Sequence, residues 1–208
     1  MTGSSHRTPE GTAWDELYLQ DERVWSGKPN GSLVVEVADL PPGCALDVGC
    51  GEGADAVWLS RHGWQVTGLD VSRVALDRAE RYAQEAGVLV SWMHAGLVEA
   101  DLPKGSFDLV SAQYAVLLKT GASVAERVLA ALVAPGGTLL VVHHVVDAAH
   151  AHDHDVAFDP ARYALPDDVA ATLGAEWSIE VNEHHPRTVD GGRGAGHAID
   201  HVLRARRH

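Results

Sequence analysis

Residues 45–54, Ala45-Leu46-Asp47-Val48-Gly49-Cys50-Gly51-Glu52-Gly53-Ala54, decide the fold. An apolar run beginning at Cys44 leads into a glycine-rich turn, and the turn opens a helical pattern. Seventeen residues past Gly53 stands Asp70, at the end of a second apolar run that begins at Trp64. Strand, glycine turn, helix, second strand and terminal acid together predict a nucleoside-binding half-domain. The glycines let backbone approach a ligand without a Cβ in the way, and the acid can accept both hydrogen bonds of a ribose diol.

The charges choose among nucleosides. A dinucleotide site sets a pyrophosphate against the helix N-terminus, where anions are unwelcome. Here the turn carries Asp47, Glu52 and Asp55. Three carboxylates repel a pyrophosphate but suit a ligand bearing a sulfonium and an ammonium. The glycines fall at 49, 51 and 53, a spacing that differs from the dinucleotide pattern G-x-G-x-x-G. Both departures favour S-adenosylmethionine over NAD or FAD.

Residues 46–53 (LDVGCGEG) resemble the first motif of class I S-adenosylmethionine-dependent methyltransferases, and residues 66–72 (VTGLDVS) resemble their second. Residues 106–111 and 132–140 are similar to the family's fourth strand and the turn before its fifth. The stretch at 25–30 is further similar to small bacterial enzymes of the tellurite-resistance and thiopurine-methyltransferase-like group. The resemblance implies S-adenosylmethionine as cofactor, with Asp47 and Gly49 near its methionine portion. It implies close backbone approach at Gly51 and Gly53, ribose hydroxyls on Asp70, and adenine against Val71. Trp25, Cys50 and Gln113 complete the expected cofactor contacts. The family's usual acid after the third strand is missing, and Gly96 stands in its place. Adenine then relies on the Leu97 backbone amide, or Asp101 swings in.

Bulk properties bound the partners. The 208 residues make one ordinary domain, with a tail and helical cap at 1–40 and the main body at 41–208. A formal charge of −13 argues against a nucleic-acid partner and for a small-molecule acceptor. The basic residues Arg204, Arg206 and Arg207 read as a solvated tail. Cys44 and Cys50 sit where a disulfide would distort the glycine turn, so reduced thiols in the cytoplasm are expected. No leader-like or membrane-spanning run is read, and a monomer and a homodimer are both open.

Along the chain, residues 1–12 read as mobile, and 13–40 as an amphipathic cap containing Trp14, Tyr18 and Trp25. Helices are expected over 54–62, stopped by Gly63, and after Ser72, closed by Gly87. A third begins at a capping box, Ser123 and Glu126, and ends at Pro135-Gly136-Gly137; a fourth runs from Pro166 to Gly174. Strands are expected over 88–93, 107–112, 138–146, 177–181 and 198–203. The alternation argues for an α/β, Rossmann-like, doubly wound, mostly parallel sheet. The resemblance adds an antiparallel C-terminal edge hairpin.

Methyl transfer needs positioning and desolvation, and a general base only where the acceptor must lose a proton. His143 and Tyr114 are the candidate catalytic residues, because both follow strands whose carboxyl ends face the expected acceptor pocket. His143 and His144 are adjacent on the fifth strand, and either ring suits a base; alternation can instead bury one and solvate the other. Tyr114 can equally pack beneath the following helix, and the cap's aromatics can form a lid stacking on the sulfonium or close the core edge. His150, His152 and His154, among Asp153 and Asp155, read as a solvated loop with no metal; a metal or metalloid held there is the alternative. Two other readings stay open: a nicotinamide oxidoreductase, and a non-catalytic protein binding cofactor or metal on the same fold.

Overall fold

A computed structural model describes residues 9–145, 160–187 and 198–208. Seven strands form one sheet in the order β3-β2-β1-β4-β5-β7-β6. The parallel set comprises β1 (Cys44–Val48), β2 (Gln65–Asp70), β3 (Val90–His94), β4 (Phe107–Gln113) and β5 (Val133–His144). The antiparallel pair β6 (Trp177–Pro186) and β7 (Ile199–Arg207) closes one edge, as the resemblance implied. The strand order reverses beside β1, between β2 and β4. In such sheets the crevice at the carboxyl ends of these strands takes the ligand.

The strands are parallel because helices carry the chain back across the sheet. These are α3 (Ala54–Arg61), α4 (Arg73–Ala86) and α5 (Val124–Leu132), with the short α6 (Pro166–Ala170) ahead of β6. Each buries one face. On α4, Ala75, Leu76, Ala79 and Ala83 are buried, Ser72 caps the start through its hydroxyl, and Gly87 closes the end in the left-handed conformation. One face of the sheet packs Leu46, Val110, Leu139 and Leu203 with α5 and α6 residues Leu129 and Val169. The other packs Ala45, Leu109, Leu140 and Val202 with Leu33, Ala56 and Leu59. Burial of each such leucine contributes roughly 1.5–3 kcal/mol.

Three expectations are corrected. Ser123 does not cap α5: its φ is 48° and its side chain makes no cap bond. The hydroxyl of Thr120 accepts from the Val124 N–H at 3.1 Å instead, and the Glu126 carboxylate is buried without a hydrogen-bond partner. Pro135-Gly136-Gly137 does not end that helix; β5 already begins at Val133, opposite Phe107, and the turn is absorbed as a register shift before Leu109. Arg204, Arg206 and Arg207 are not a loose tail. β7 runs to Arg207, and Arg204 bridges Asp39 and Glu180 at 3.0 and 2.9 Å. Tail residues 1–8, Val146, the loop at 147–159 and its histidines His150, His152 and His154 lie outside the described residues.

Candidate active site

The glycine turn sits at the carboxyl end of β1, and its backbone is fixed from β2. The N–H groups of Gly49 and Cys50 both donate to the Leu69 carbonyl, at 2.8 and 3.1 Å. Asp70 continues the same strand, and its carboxylate accepts from the Gly51 and Ser72 N–H groups, each at 2.8 Å. Burial raises the Asp70 pKa, while these two amides and the nearby His94 draw it back. Asp70 thus ties the turn to the start of α4. Each oxygen keeps a second lone pair for a ligand.

Two glycines of the turn have distinct steric reasons. Gly51 has φ 51°, and a Cβ there would fall 2.9 Å from the Tyr18 hydroxyl and 3.4 Å from Trp25 Nε1. Gly53 has φ 83°, and its Cβ would meet Ala79 and Trp92 at 2.8 and 2.9 Å. So at Gly51 the close approach is to the N-terminal segment, and at Gly53 to α4 and β3.

The turn's three carboxylates have separate fates. Glu52 holds the N-terminal segment: it accepts from the backbone N–H of Trp25 at 3.0 Å and pairs with Arg78 at 2.8 Å. Arg78 also donates to the Tyr18 and Asp21 carbonyls. Asp55 accepts from the backbone and side-chain N–H groups of Asn30, both at 2.7 Å. Burial raises its pKa to about 6 despite those bonds. Asp47 is 2% exposed, and its Oδ2 has no hydrogen-bond partner. Burial pushes the Asp47 pKa well up, and the charges of Asp55 and Asp70 push it further. An unpaired buried carboxylate oxygen beside two other acids calls for a cation. The ammonium of S-adenosylmethionine is such a group, so these residues fit the cofactor.

The cap elements lie against this turn. In α1 (Pro9–Tyr18), Asp15 accepts from the Ser72 hydroxyl at 2.7 Å and from the Val74 N–H at 3.1 Å. The Trp25 indole donates to the Tyr18 hydroxyl at 2.8 Å. A short α2 (Gly31–Glu36) buries Leu33 against the sheet.

With this geometry in place, the comparisons converge. Residues 45–137 match the family model described as a methyltransferase domain. This stretch is a methyltransferase domain. An uncharacterized methyltransferase of Mycobacterium tuberculosis is 37% identical over 114 residues, 55% of this chain and 57% of that protein. The chain thus spans about half the length of the curated relatives it matches. A solved structure concerned with converting a disulfide bond into a thioacetal group during echinomycin biosynthesis shares the fold. Its TM-score is 0.75 at 22% identity, with 95% of this chain and 92% of that one covered. So does 1,6-didemethyltoxoflavin-N1-methyltransferase from Burkholderia thailandensis, with TM-score 0.67, 18% identity and coverage of 99% and 93%.

In this methyltransferase domain, Cys50 is a buried free thiol, raised well above its ordinary pKa by burial and then by the Asp70 charge. Val71 is half-buried, and its carbonyl lies 2.9 Å from His94 Nε2. Leu97 packs its side chain into the core. Gln113 is buried, donates to the Ser111 hydroxyl at 3.1 Å, and leaves its carbonyl oxygen without a partner. His143 is 6% exposed, with Nδ1 3.4 Å from the His144 carbonyl. Tyr114, at φ 56°, donates its hydroxyl to Asp200 at 2.7 Å.

Two acids escaped sequence reasoning. A Cβ on Gly96 would fall on a Glu99 carboxylate oxygen and 3.8 Å from Val71 Cγ1. A Glu99 carboxylate oxygen thus lies over the position where a side chain at 96 would stand. Asp200, 2% exposed, gathers Tyr114, His144 and Arg187 around one carboxylate. Sequence spacing gives no sign of it, because its partners come from β4, β5 and the end of β6.

Among the described residues no group of three or more His, Cys, Asp or Glu is arranged to hold a metal ion. Among them, too, no helix is long and apolar enough to cross a membrane.

Proposed function

We propose that this chain transfers the methyl group of S-adenosylmethionine to a nucleophilic nitrogen, sulfur, oxygen or metalloid atom of a small molecule. The observation that carries the reading is the partnerless oxygen of Asp47, buried in a glycine turn whose next strand ends in Asp70. Bound cofactor supplies a methyl carbon already activated by its sulfonium. The chain's own residues bind and orient. Asp47 takes the ammonium, Asp70 the ribose diol, Glu99 and the Leu97 amide the adenine edge, and Val71 its face. Gln113 offers its unpaired carbonyl to the methionine end, and Trp25 closes over the turn.

The acceptor site is assigned to the carboxyl ends of β4 and β5, where Tyr114, His143 and His144 stand. A net charge of −13 disfavours nucleic-acid acceptors, and a small-molecule acceptor is in keeping with the fold neighbour 1,6-didemethyltoxoflavin-N1-methyltransferase, which holds 1,6-didemethyltoxoflavin with S-adenosylhomocysteine. Free Cys44 and Cys50 accord with a reducing cytoplasm. Calorimetric titration tests the reading. S-Adenosylmethionine and S-adenosylhomocysteine should bind saturably and NAD should not; absence of binding by both adenosyl ligands would refute it.

A further inference from the structure

A cleft at the carboxyl end of β5 is lined by His143, His144, Leu165, Pro166, His184 and His201. Four imidazoles in one cleft pose the question of which, if any, moves a proton. The surroundings of two of them differ. His143 Nδ1 faces a neutral carbonyl, whereas His144 Nδ1 lies 3.3 Å from the Asp200 carboxylate. A neutral imidazole facing a carboxylate through Nδ1 carries its proton there, which leaves the lone pair on Nε2.

The carboxylate is itself held in place. The Tyr114 hydroxyl donates to it at 2.7 Å, the Ser32 hydroxyl at 3.4 Å, and Arg187 Nε approaches to 3.9 Å. Burial pushes the Asp200 pKa up, but the bonds from His144 and Tyr114 and the Arg187 charge outweigh it and keep the group ionised. The Tyr114 ring stacks on His144 at 4.2 Å, with 23° between planes, and the Arg187 guanidinium lies over the same Tyr114 ring, 4.8 Å from its centroid. To reach this position Tyr114 adopts φ 56°, a left-handed conformation disfavoured for a bulky residue. Such strain persists where surrounding contacts over-determine it, and it concentrates at functional sites.

We infer that Asp200 is the positioning residue for His144, holding it as the Nδ1–H tautomer so that Nε2 accepts the proton of a protic methyl acceptor. This deepens the methyltransferase reading and rests on it. The substrate class is a phenolic O–H or azole N–H nucleophile, which must lose a proton as it is methylated. In the balanced step, the acceptor's proton passes to His144 Nε2 and its lone pair forms the new bond to the methyl carbon. The carbon–sulfur bond breaks, its electron pair goes to sulfur, and a neutral thioether leaves. The imidazolium then returns its proton to solvent. Asp200 stabilises that imidazolium, while Arg187 opposes it; His143 on β5, His184 on β6 and His201 on β7 in the same cleft and, beyond Tyr114, Asp55 on α3 are further titratable groups nearby.

Long-range 1H–15N spectra of the 15N-labelled full chain, free and with S-adenosylhomocysteine, test this. The His144 signals are identified by their loss in His144→Gln. The expected result is Nδ1–H with a lone pair at Nε2, and in Asp200→Asn a shift toward the Nε2–H tautomer with a midpoint lower by about one pH unit. Tyr114→Phe removes one donor from Asp200 but keeps the carboxylate, so there the His144 midpoint should rise. An Nε2–H His144 in the parent chain, or a midpoint unmoved in both variants, overturns the inference. Failure of S-adenosylhomocysteine to bind overturns this inference and the methyltransferase reading together. Binding with the wrong tautomer overturns this inference alone.

Discussion

Asp55 shows how burial turns a carboxylate into a pH-dependent element. Its two bonds from Asn30 stabilise the ionised form, yet burial dominates and its folded-state pKa rises from 3.8 to about 6. A proton therefore binds the folded chain more tightly than the unfolded one. Stability contributed by Asp55 is full below the ordinary carboxylate range and is lost as pH rises through about 6. Asp55→Asn should flatten the pH dependence of denaturant unfolding across that window, by on the order of 1–3 kcal/mol. A slope unchanged from the parent chain would show that the carboxylate titrates normally. The acidity of this turn was legible in the sequence; its division of labour was not. Glu52 serves the N-terminal segment, Asp55 serves Asn30, and Asp47 alone of the three keeps a partnerless buried oxygen, because each contact crosses from another part of the chain.

Helix ends were readable where side chain and backbone agree. Ser72 and Gly87 bound α4 as expected, since a hydroxyl in extended conformation caps one end and a left-handed glycine closes the other. Ser123 has the residue type of a cap without the backbone for it, and Thr120 reaches the Val124 N–H instead. Thr120→Val should therefore destabilise the fold by about 1 kcal/mol. Ser123→Gly should be neutral or stabilising by up to about 1 kcal/mol, since glycine tolerates φ 48° without strain. Thermal unfolding of the two variants decides: a larger loss from Ser123→Gly would restore the capping box. β5 and β7 outran their expected bounds for a related reason. Their ends are low in local signal but gain partners across the sheet, as when Arg207 donates to the Val133 carbonyl.

For the whole molecule, the N-terminal elements and the glycine turn form one unit. Glu52 and Arg78 are largely buried together, and between them they hold backbone groups of Tyr18, Asp21, Val24 and Trp25. Glu52→Gln removes the charge from this pair and leaves Arg78 poorly compensated. We expect a loss of roughly 2–4 kcal/mol of stability. Residues 9–30 should also lose amide-exchange protection before the sheet does. Cofactor affinity should fall with it, because Gly51 packs beneath Tyr18 and Trp25. Uniform exchange across the chain, with affinity retained, would separate the cap from the turn.

The strand–turn–helix start and the parallel alternation were legible along the chain alone, and the charges of the turn pointed to a cationic nucleoside, because these are written in residues that are neighbours along the chain. Glycine spacing, apolar period and local charge act over a few positions, and they survive reading in one dimension. Packing alone brought a Glu99 oxygen over Gly96, fastened the cap through Glu52, and set Tyr114, His144 and Arg187 around Asp200. The last of these pairings spans up to 86 residues and joins separate strands at one edge of the sheet. Desolvation and charge pairing act through space. Their partners are fixed by packing, and packing is settled only when the whole sheet has closed.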